Sequence, residues 1–125
     1  MPENSVPAAT LEQQRAKHAW EKSNGCSKEY TNLAKGLPAL IMNSGLMQVM
    51  AYLNEKGKDE HKRLLDDLCD WLNQRKNLPK GFKRCMEALL KAEPREFQEI
   101  TTEAMAWLRW MRQMAAARQP GKGND

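Results

Sequence analysis

The sequence lacks a long hydrophobic run and has few cysteines, and both shortages limit what the chain can be. The least charged stretch, residues 37–53, is interrupted by Asn43, Ser44, Gly45 and Gln48. No segment therefore reaches the roughly 18 apolar residues that cross a bilayer. The first residues also lack the basic start and apolar centre of a secretory signal. The three cysteines cannot all pair, which fits a reducing compartment. We expect a cytoplasmic protein without membrane contact.

Metal-binding and cofactor-binding motifs are also missing. The sequence contains no Cys-x-x-Cys or His-Glu-x-x-His spacing and no phosphate-cradling glycine loop. His61 and Cys69 share a predicted helical face, but they are about 12 Å apart along the helix, too far to hold one zinc ion. We therefore expect no metal site and no cofactor, and we interpret the cysteines as core residues.

Catalytic groups are scarce as well. The serines have no histidine at a suitable spacing for nucleophilic catalysis. Asp66 and Asp70 lie one helical turn apart and are able to share a magnesium ion, so a magnesium-dependent nuclease is an alternative. We prefer to interpret them as part of a solvated face, on which Lys62 and Arg63 pair with carboxylates one turn away. The expectation is a protein that is not an enzyme and has no catalytic residues.

Helical periodicity is what the sequence does have. Apolar residues recur three and four positions apart over residues 10–118, and sustained period-two alternation is missing. This pattern predicts an all-α fold, a single compact domain of about five to six helices packed around a central apolar helical segment. Thr10 and Gln13 predict a capping box at the first helix. Residues 1–9 and 119–125 are predicted to be disordered.

The central segment, residues 37–53, carries no charged residue and has apolar side chains in every helical direction. A helix with a single apolar stripe lies on a surface, whereas a helix that is apolar all round must be covered on several sides. We therefore expect the other helices to enclose this segment. Pro38 and Gly45 are expected to set bends in it, because proline lacks an amide donor and glycine tolerates positive φ.

Positive charge exceeds negative charge slightly, with 20 lysines and arginines against 16 acidic residues and a net charge of +4. Much of it falls in two clusters near aromatic residues. One cluster precedes and begins the helix at Phe82, and the other lies on the last helix: Arg75, Lys76, Lys80, Lys83 and Arg84, then Arg109 and Arg112. Basic and aromatic side chains together can hold a phosphate backbone or stack on bases. The same residues can also simply solvate exposed faces.

Two tryptophans on the last helix raise a separate question. Trp107 and Trp110 lie off its main apolar stripe, so this helix is apolar on more than one side. Either the helix is central in the monomer, or it offers a patch to a partner. Burial within the monomer is the favoured interpretation.

Three blocks of the sequence resemble a known family. The first is RAKHAW at residues 15–20, similar to an Arg-Ala-x-x-Ala-aromatic pattern. The second covers residues 30–53 and contains LPALI and NSGLMQ, and the third is TEAMAWLRWMR at residues 102–112. In order and spacing, these blocks are similar to the Cmr-type small helical subunit of the type III-B CRISPR RNA-silencing effector complex. Met111 and Met114 stand where that family is expected to have leucine and phenylalanine.

The resemblance implies a non-catalytic subunit of a ribonucleoprotein that acts in antiviral defence. Copies of the subunit would stack as an inner filament beside a repeated backbone subunit, with guide RNA and target RNA in the groove between them. The implied partners are the other Cmr-module subunits, further copies of this chain and both RNAs, with base pairing supplying sequence discrimination. The candidates for contacts with RNA or partner subunits are Arg15, Lys17, Lys80, Lys83, Arg84, Arg109 and Arg112. Residues 54–93 match the family only in helical character.

A helix-turn-helix DNA-binding protein is the alternative function, with the helix from Phe82 to Lys91 entering the major groove. Two features argue against it. The connection before that helix is long, and Glu87 and Glu93 place acidic groups among its polar positions.

Overall fold

The structure is a computed structural model that describes residues 8–119, and these residues form a single all-α domain. Six helices follow one another: α1 (Leu11–Lys22), α2 (Lys28–Ser44), α3 (Leu46–Lys56), α4 (Asp59–Lys76), α5 (Phe82–Lys91) and α6 (Pro94–Arg118). The predicted fold class is confirmed, with no strand between residues 8 and 119. Within this part of the chain, no helix is both long and apolar enough to span a membrane.

Local sequence signals set several helix ends. The predicted capping box is present, because Gln13 N–H donates to Thr10 Oγ1 and Thr10 N–H donates to Gln13 Oε1. Ser27 caps α2 by accepting from the Tyr30 amide. Asn77 takes a left-handed conformation at the end of α4, which lets the chain leave the helix.

The longest helix, α6, is the centre of the domain. It packs against α1, α2 and α4, while α5 packs against α3 and α4. Its inner face buries Ile100, Trp107, Leu108 and Met111 completely. Each of these side chains contributes about 1.5–3 kcal/mol or more by leaving water. Burial of Trp107 within the monomer, as the sequence favoured, is confirmed, and Trp110 is half-buried against the core.

Pro38 does not bend the chain out of its helix, contrary to our prediction. It lies inside α2, which continues to Ser44. A proline inside a helix costs about 3 kcal/mol. The buried stripe of Tyr30, Ala34, Leu37 and Ile41 runs through that position on one face, and its burial offsets the loss.

The bend that the sequence placed at Gly45 is present. Gly45 separates α2 from α3 with φ 86° and ψ 157°. Only glycine adopts this backbone conformation without strain. The turn consists of this one residue, and α3 contacts α2 beyond it.

The central segment is covered on one side only, which corrects the prediction that other helices enclose it. Leu37, Ile41 and Leu46 are buried, whereas Leu40, Met42 and Tyr52 face outward, with 77% of Met42 exposed. Among the described residues, α2 packs on α4 and α6 and α3 packs on α4 and α5, and these contacts leave the outward side chains exposed. We call the outward side of residues 36–54 the uncharged face, because no charged residue lies between Lys35 and Glu55.

The predicted terminal segments fall largely outside the described residues. Residues 1–7 and 120–125 are not described by the structure. At the C-terminal end of the described range, the Gln119 side chain donates to the carbonyl of Cys26 at 3.2 Å.

Candidate functional site

A cluster of polar side chains lies where α1, α4 and α6 meet. The Trp107 indole N–H donates to His18 Nδ1 at 2.8 Å, and His18 Nε2 lies 2.8 Å from Asp70 Oδ2. An indole can only donate, so Nδ1 must be the acceptor and Nε2 must carry the proton. His18 therefore donates to Asp70 as the neutral Nε2–H tautomer, and its ring bridges three helices.

A second pair of hydrogen bonds joins the same three helices. Arg15 donates to both carboxylate oxygens of Glu103, at 2.7 and 2.9 Å, and Trp71 Nε1 donates to Glu103 Oε2 at 3.0 Å. Burial alone would raise the pKa of Glu103, but the hydrogen bonds from Arg15 and Trp71 outweigh it and hold this pKa below its ordinary value. The two groups together, Arg15–Glu103–Trp71 and His18–Asp70–Trp107, are called the junction.

Four of the six junction residues come from two of the three blocks that carry the family resemblance, and the other two, Asp70 and Trp71, lie on α4 outside the blocks. Arg15 and His18 belong to the first block, and their partners Glu103 and Trp107 belong to the third. These two pairs of residues thus bind each other across 88 and 89 positions of sequence. Their pattern is explained by the docking of α1 onto α6.

The Asp–His pair in the junction lacks the partner that would make it catalytic. In a nucleophilic triad, the second histidine nitrogen accepts a proton from a hydroxyl or thiol. Here that nitrogen, Nδ1, accepts from the Trp107 indole, which is not a nucleophile. The geometry holds helices together and does not activate a reacting group.

The aspartates of α4 are engaged inside the protein. Asp67 is buried, accepts from the Tyr30 hydroxyl at 2.7 Å and lies 3.8 Å from Arg63. Burial raises the pKa of Asp67 despite these partners. The prediction that Arg63 pairs with a carboxylate one turn away is confirmed, but the face is not solvated at Asp67. The reason is that α2 packs over it through Tyr30.

Asp70, one member of the proposed magnesium pair, is surrounded by nitrogen donors. His18 Nε2, Lys80 Nζ and Lys22 Nζ lie 2.8, 3.1 and 3.6 Å from its carboxylate oxygens. Burial acts to raise the pKa of Asp70, but the hydrogen bonds from His18 and Lys80 lower it overall. Between residues 8 and 119, no group of three or more histidines, cysteines or acids is placed to hold a metal ion.

The seven candidate contact residues divide into two groups. Arg15 is paired with Glu103 inside the domain, because its Nε and Nη2 both donate to that carboxylate, and its external contact stays a prediction. Lys80 is exposed but lies 3.1 Å from Asp70, which offsets its charge. The others are exposed and make no ion pair within the part of the chain that the structure describes: Lys17, Lys83, Arg84, Arg109 and Arg112.

The outer side of α6 carries positive charge that has no carboxylate partner between residues 8 and 119. Arg109 and Arg112 are three positions apart, so they are neighbours on the helix surface. The sequence from Ala104 to Gln119 contains no acidic residue. We call Arg109 and Arg112 the arginine stripe.

Lys83 and Arg84 are placed where their charge is unfavourable for the fold. Both lie in the first turn of α5, which has no acidic residue. The helix dipole makes cations at an N-terminus unfavourable by about 0.3–1 kcal/mol. A role outside the monomer gives a reason for their charge.

Two arginines make contacts with backbone carbonyls that the sequence analysis did not predict. Arg63 Nη2 donates to the carbonyls of Lys22 and Asn24 at 2.6 and 2.8 Å, and Arg118 Nη2 donates to the Trp20 carbonyl at 2.8 Å. They satisfy the free carbonyls at the end of α1. Backbone acceptors leave no mark on side-chain patterns, so nothing in the sequence signalled these contacts.

Comparison with known proteins matches the whole described domain. The family described as CRISPR-associated protein (Cas_Cmr5) matches residues 11–118, from the first residue of α1 to the last of α6. A relative from Thermus thermophilus, named CRISPR system Cmr subunit Cmr5, is 32% identical over 113 residues, 86% of this chain and 95% of that protein. The crystal structure of a CRISPR-associated Cmr5 family protein from the same organism superposes with a TM-score of 0.76 at 30% identity, covering 88% and 97% of the two chains. These similarities do not favour the helix-turn-helix interpretation of Phe82–Lys91.

Proposed function

The chain belongs to the Cas_Cmr5 family of CRISPR-associated proteins, as the small helical subunit of a type III-B CRISPR complex. From this premise we propose that it is a non-catalytic subunit that lines the groove holding guide RNA and target RNA. Its immediate partners are the repeated backbone subunit and stacked copies of itself. We place the assembled complex in the cytoplasm.

The arginine stripe is the observation that carries the RNA contact. Arg109 and Arg112 point away from a helix whose other sides pack on α1, α2 and α4. Their charges meet no carboxylate between residues 8 and 119. An RNA backbone supplies phosphates at every nucleotide, and cations that face it gain affinity by releasing counterions.

The uncharged face supports a contact with protein. Met42 and Leu40 are exposed there without a charged neighbour in the same segment. An uncharged surface gains nothing from phosphates, whereas its apolar side chains gain by leaving water against another subunit. The two surfaces therefore suit the two kinds of partner that a lining subunit meets.

The non-catalytic role is supported by the engagement of the titratable groups. His18 and Asp70 bind each other, and Asp67 binds Tyr30. In neither pair is a hydroxyl or thiol held beside a histidine nitrogen that is free to accept its proton. We assign the complex's chemistry to other subunits.

Recovery of the complex from the native host tests the proposed class. A tagged copy of the chain should co-purify with larger Cmr subunits and a guide RNA. Recovery of the chain alone, under salt conditions that preserve other ribonucleoproteins, would contradict the proposal.

Paired substitutions test the RNA contact. Replacing Arg109 and Arg112 by glutamine should weaken target RNA binding by the assembled complex and reduce the salt dependence of log K by about 1–2. Replacing the exposed Lys58 and Lys62 by glutamine removes the same charge from the start of α4 and serves as the matched control. Equal losses of RNA affinity in both variants would show that only the net charge matters, and this would contradict an RNA-binding site on α6.

A further inference from the structure

An exposed indole stands on the outward side of α1. Trp20 is 44% exposed, although the guanidinium carbon of Arg118 lies only 3.5 Å from its ring centroid. Since Arg118 covers one ring face, the exposure must come from the opposite face and the edges. Part of the aromatic surface is therefore open to solvent, and Lys17 lies one turn earlier on the same helix.

The ring is held in place before any ligand arrives. Arg118 Nη2 donates to the Trp20 carbonyl at 2.8 Å and its Nε donates to Ser23 Oγ at 3.3 Å. The Ser23 hydroxyl is buried and donates to the same carbonyl at 2.9 Å. A guanidinium fixed in this way restricts the indole stacked on it, so a ligand loses less side-chain entropy on binding.

The charges around the ring favour a polyanion. Arg118 makes no ion pair with a carboxylate between residues 8 and 119, and Lys17 is likewise unpaired there. The adjacent acid, Glu21, lines one cleft toward α4 together with Lys17 and Gln74, but it makes no ion pair with Lys17 among the described residues. Cations beside an open aromatic face match a nucleic acid, whose phosphates meet the cations while a base stacks on the ring.

We propose that Trp20, backed by Arg118 and flanked by Lys17, is a stacking site for an unpaired nucleobase of RNA. This rests on the proposed function and extends it to a second surface, since the arginine stripe contacts phosphates and this site takes a base. Stacking tolerates any base, but the larger purine rings cover more of the indole.

Binding of short RNAs to the full chain at low salt tests the site. The probes are a 12-nucleotide oligoadenylate and an abasic oligomer with the same number of phosphates. Trp20→Leu should weaken oligoadenylate binding by about tenfold, whereas Trp20→Phe, which keeps an aromatic face, should weaken it much less. Neither variant should change binding of the abasic oligomer. Leu90→Ser, at an apolar side chain that is 67% exposed on α5, is the control and should change neither.

Four outcomes would overturn the stacking site. Equal binding of oligoadenylate by the wild type and Trp20→Leu, equal losses on both probes, or no oligoadenylate binding by the wild type would each overturn the stacking site. Loss of partner subunits in co-purification of Trp20→Leu, with oligoadenylate binding intact, would make Trp20 a protein contact and overturn it too. In each case the proposed function is judged separately, by whether the wild-type chain recovers Cmr subunits and guide RNA.

Discussion

The junction and the outer surface of the domain differ in how completely their groups are partnered. In the junction, Arg15 and His18 of α1 use their donors and acceptors within the chain. On the outer surface, the arginine stripe and Met42 have no such partner among the described residues. The sequence blocks that identify the family contain both kinds of residue, so a conspicuous motif residue is not by itself a contact residue.

The difference has a physical origin. Buried polar groups must find partners inside the protein, because an unpaired one costs about 1–3 kcal/mol. Exposed cations are hydrated by water and need no partner within the chain, so they remain available to bind a ligand. We therefore expect substitutions in the junction to lower stability and substitutions on the outer surface to lower binding.

The largest effect on stability is expected at Trp107. Trp107→Ala should lower the free energy of unfolding by about 3–5 kcal/mol, because it empties a fully buried site and removes the donor to His18 Nδ1. Trp110→Ala, on the same helix but half-buried, should cost clearly less. Urea denaturation compares the two, and equal losses would show that the junction is no more tightly packed than the helix edge.

The next effect is expected at the turn between α2 and α3. Gly45→Val should lower the free energy of unfolding by about 1–3 kcal/mol, because φ 86° with ψ 157° strains any residue with a Cβ. Gly36→Ala is the control, since Gly36 is helical, exposed and has nothing within 4 Å of an added Cβ. That control should be neutral or stabilising by up to about 1 kcal/mol. A wild-type melting temperature for Gly45→Val would contradict a strained turn.

An acid-sensitive part of the stability should come from the junction carboxylates. The folded-state pKa values of Glu103 and Asp70 lie below the ordinary 4.5 and 3.8, so the stability they contribute is fully present above those values and is lost as pH falls below them. Glu103→Gln removes this carboxylate, so the free energy of unfolding of the variant should fall less between about pH 5 and 3 than that of the exposed control Glu87→Gln. Asp67 acts in the opposite sense, because its raised pKa favours folding of the protonated form. If the free energy of unfolding of Glu103→Gln fell as steeply with decreasing pH as that of the wild type, the result would contradict the pairing of Glu103 with Arg15 and Trp71.

The smallest effect on stability is expected on the uncharged face. Met42→Gln should change the free energy of unfolding by less than about 0.5 kcal/mol, since 77% of Met42 is already exposed. It should nevertheless reduce recovery of other Cmr subunits with a tagged chain. Leu90→Gln changes a similarly exposed side chain on α5 and should leave recovery intact. Recovery that is equal in both variants would remove the uncharged face from the proposed interface.

The sequence predicted the features that depend on neighbours in the chain. The capping box at Thr10 and the turn at Gly45 follow from groups within a few residues of each other. The helical stripes likewise predicted an all-α domain. Such signals are local, so they survive without knowledge of the tertiary arrangement.

The sequence did not allow us to predict which side chains far apart in the chain bind each other. Nothing near Arg15 shows that Glu103, 88 positions away, will accept hydrogen bonds from its Nε and Nη2. The same limit explains the error at the central segment. Periodicity shows that a helix is apolar on two sides, but it does not show whether the second side is covered by the same chain or by another subunit.

The most direct test is to identify which peptide of this chain touches RNA in the assembled complex. Photocrosslinking with thiouridine-substituted target RNA, followed by mass spectrometry, should place the crosslinks in α6 around Arg109 and Arg112. Crosslinks confined to the uncharged face, or none in this chain while the backbone subunit is labelled, would contradict the account.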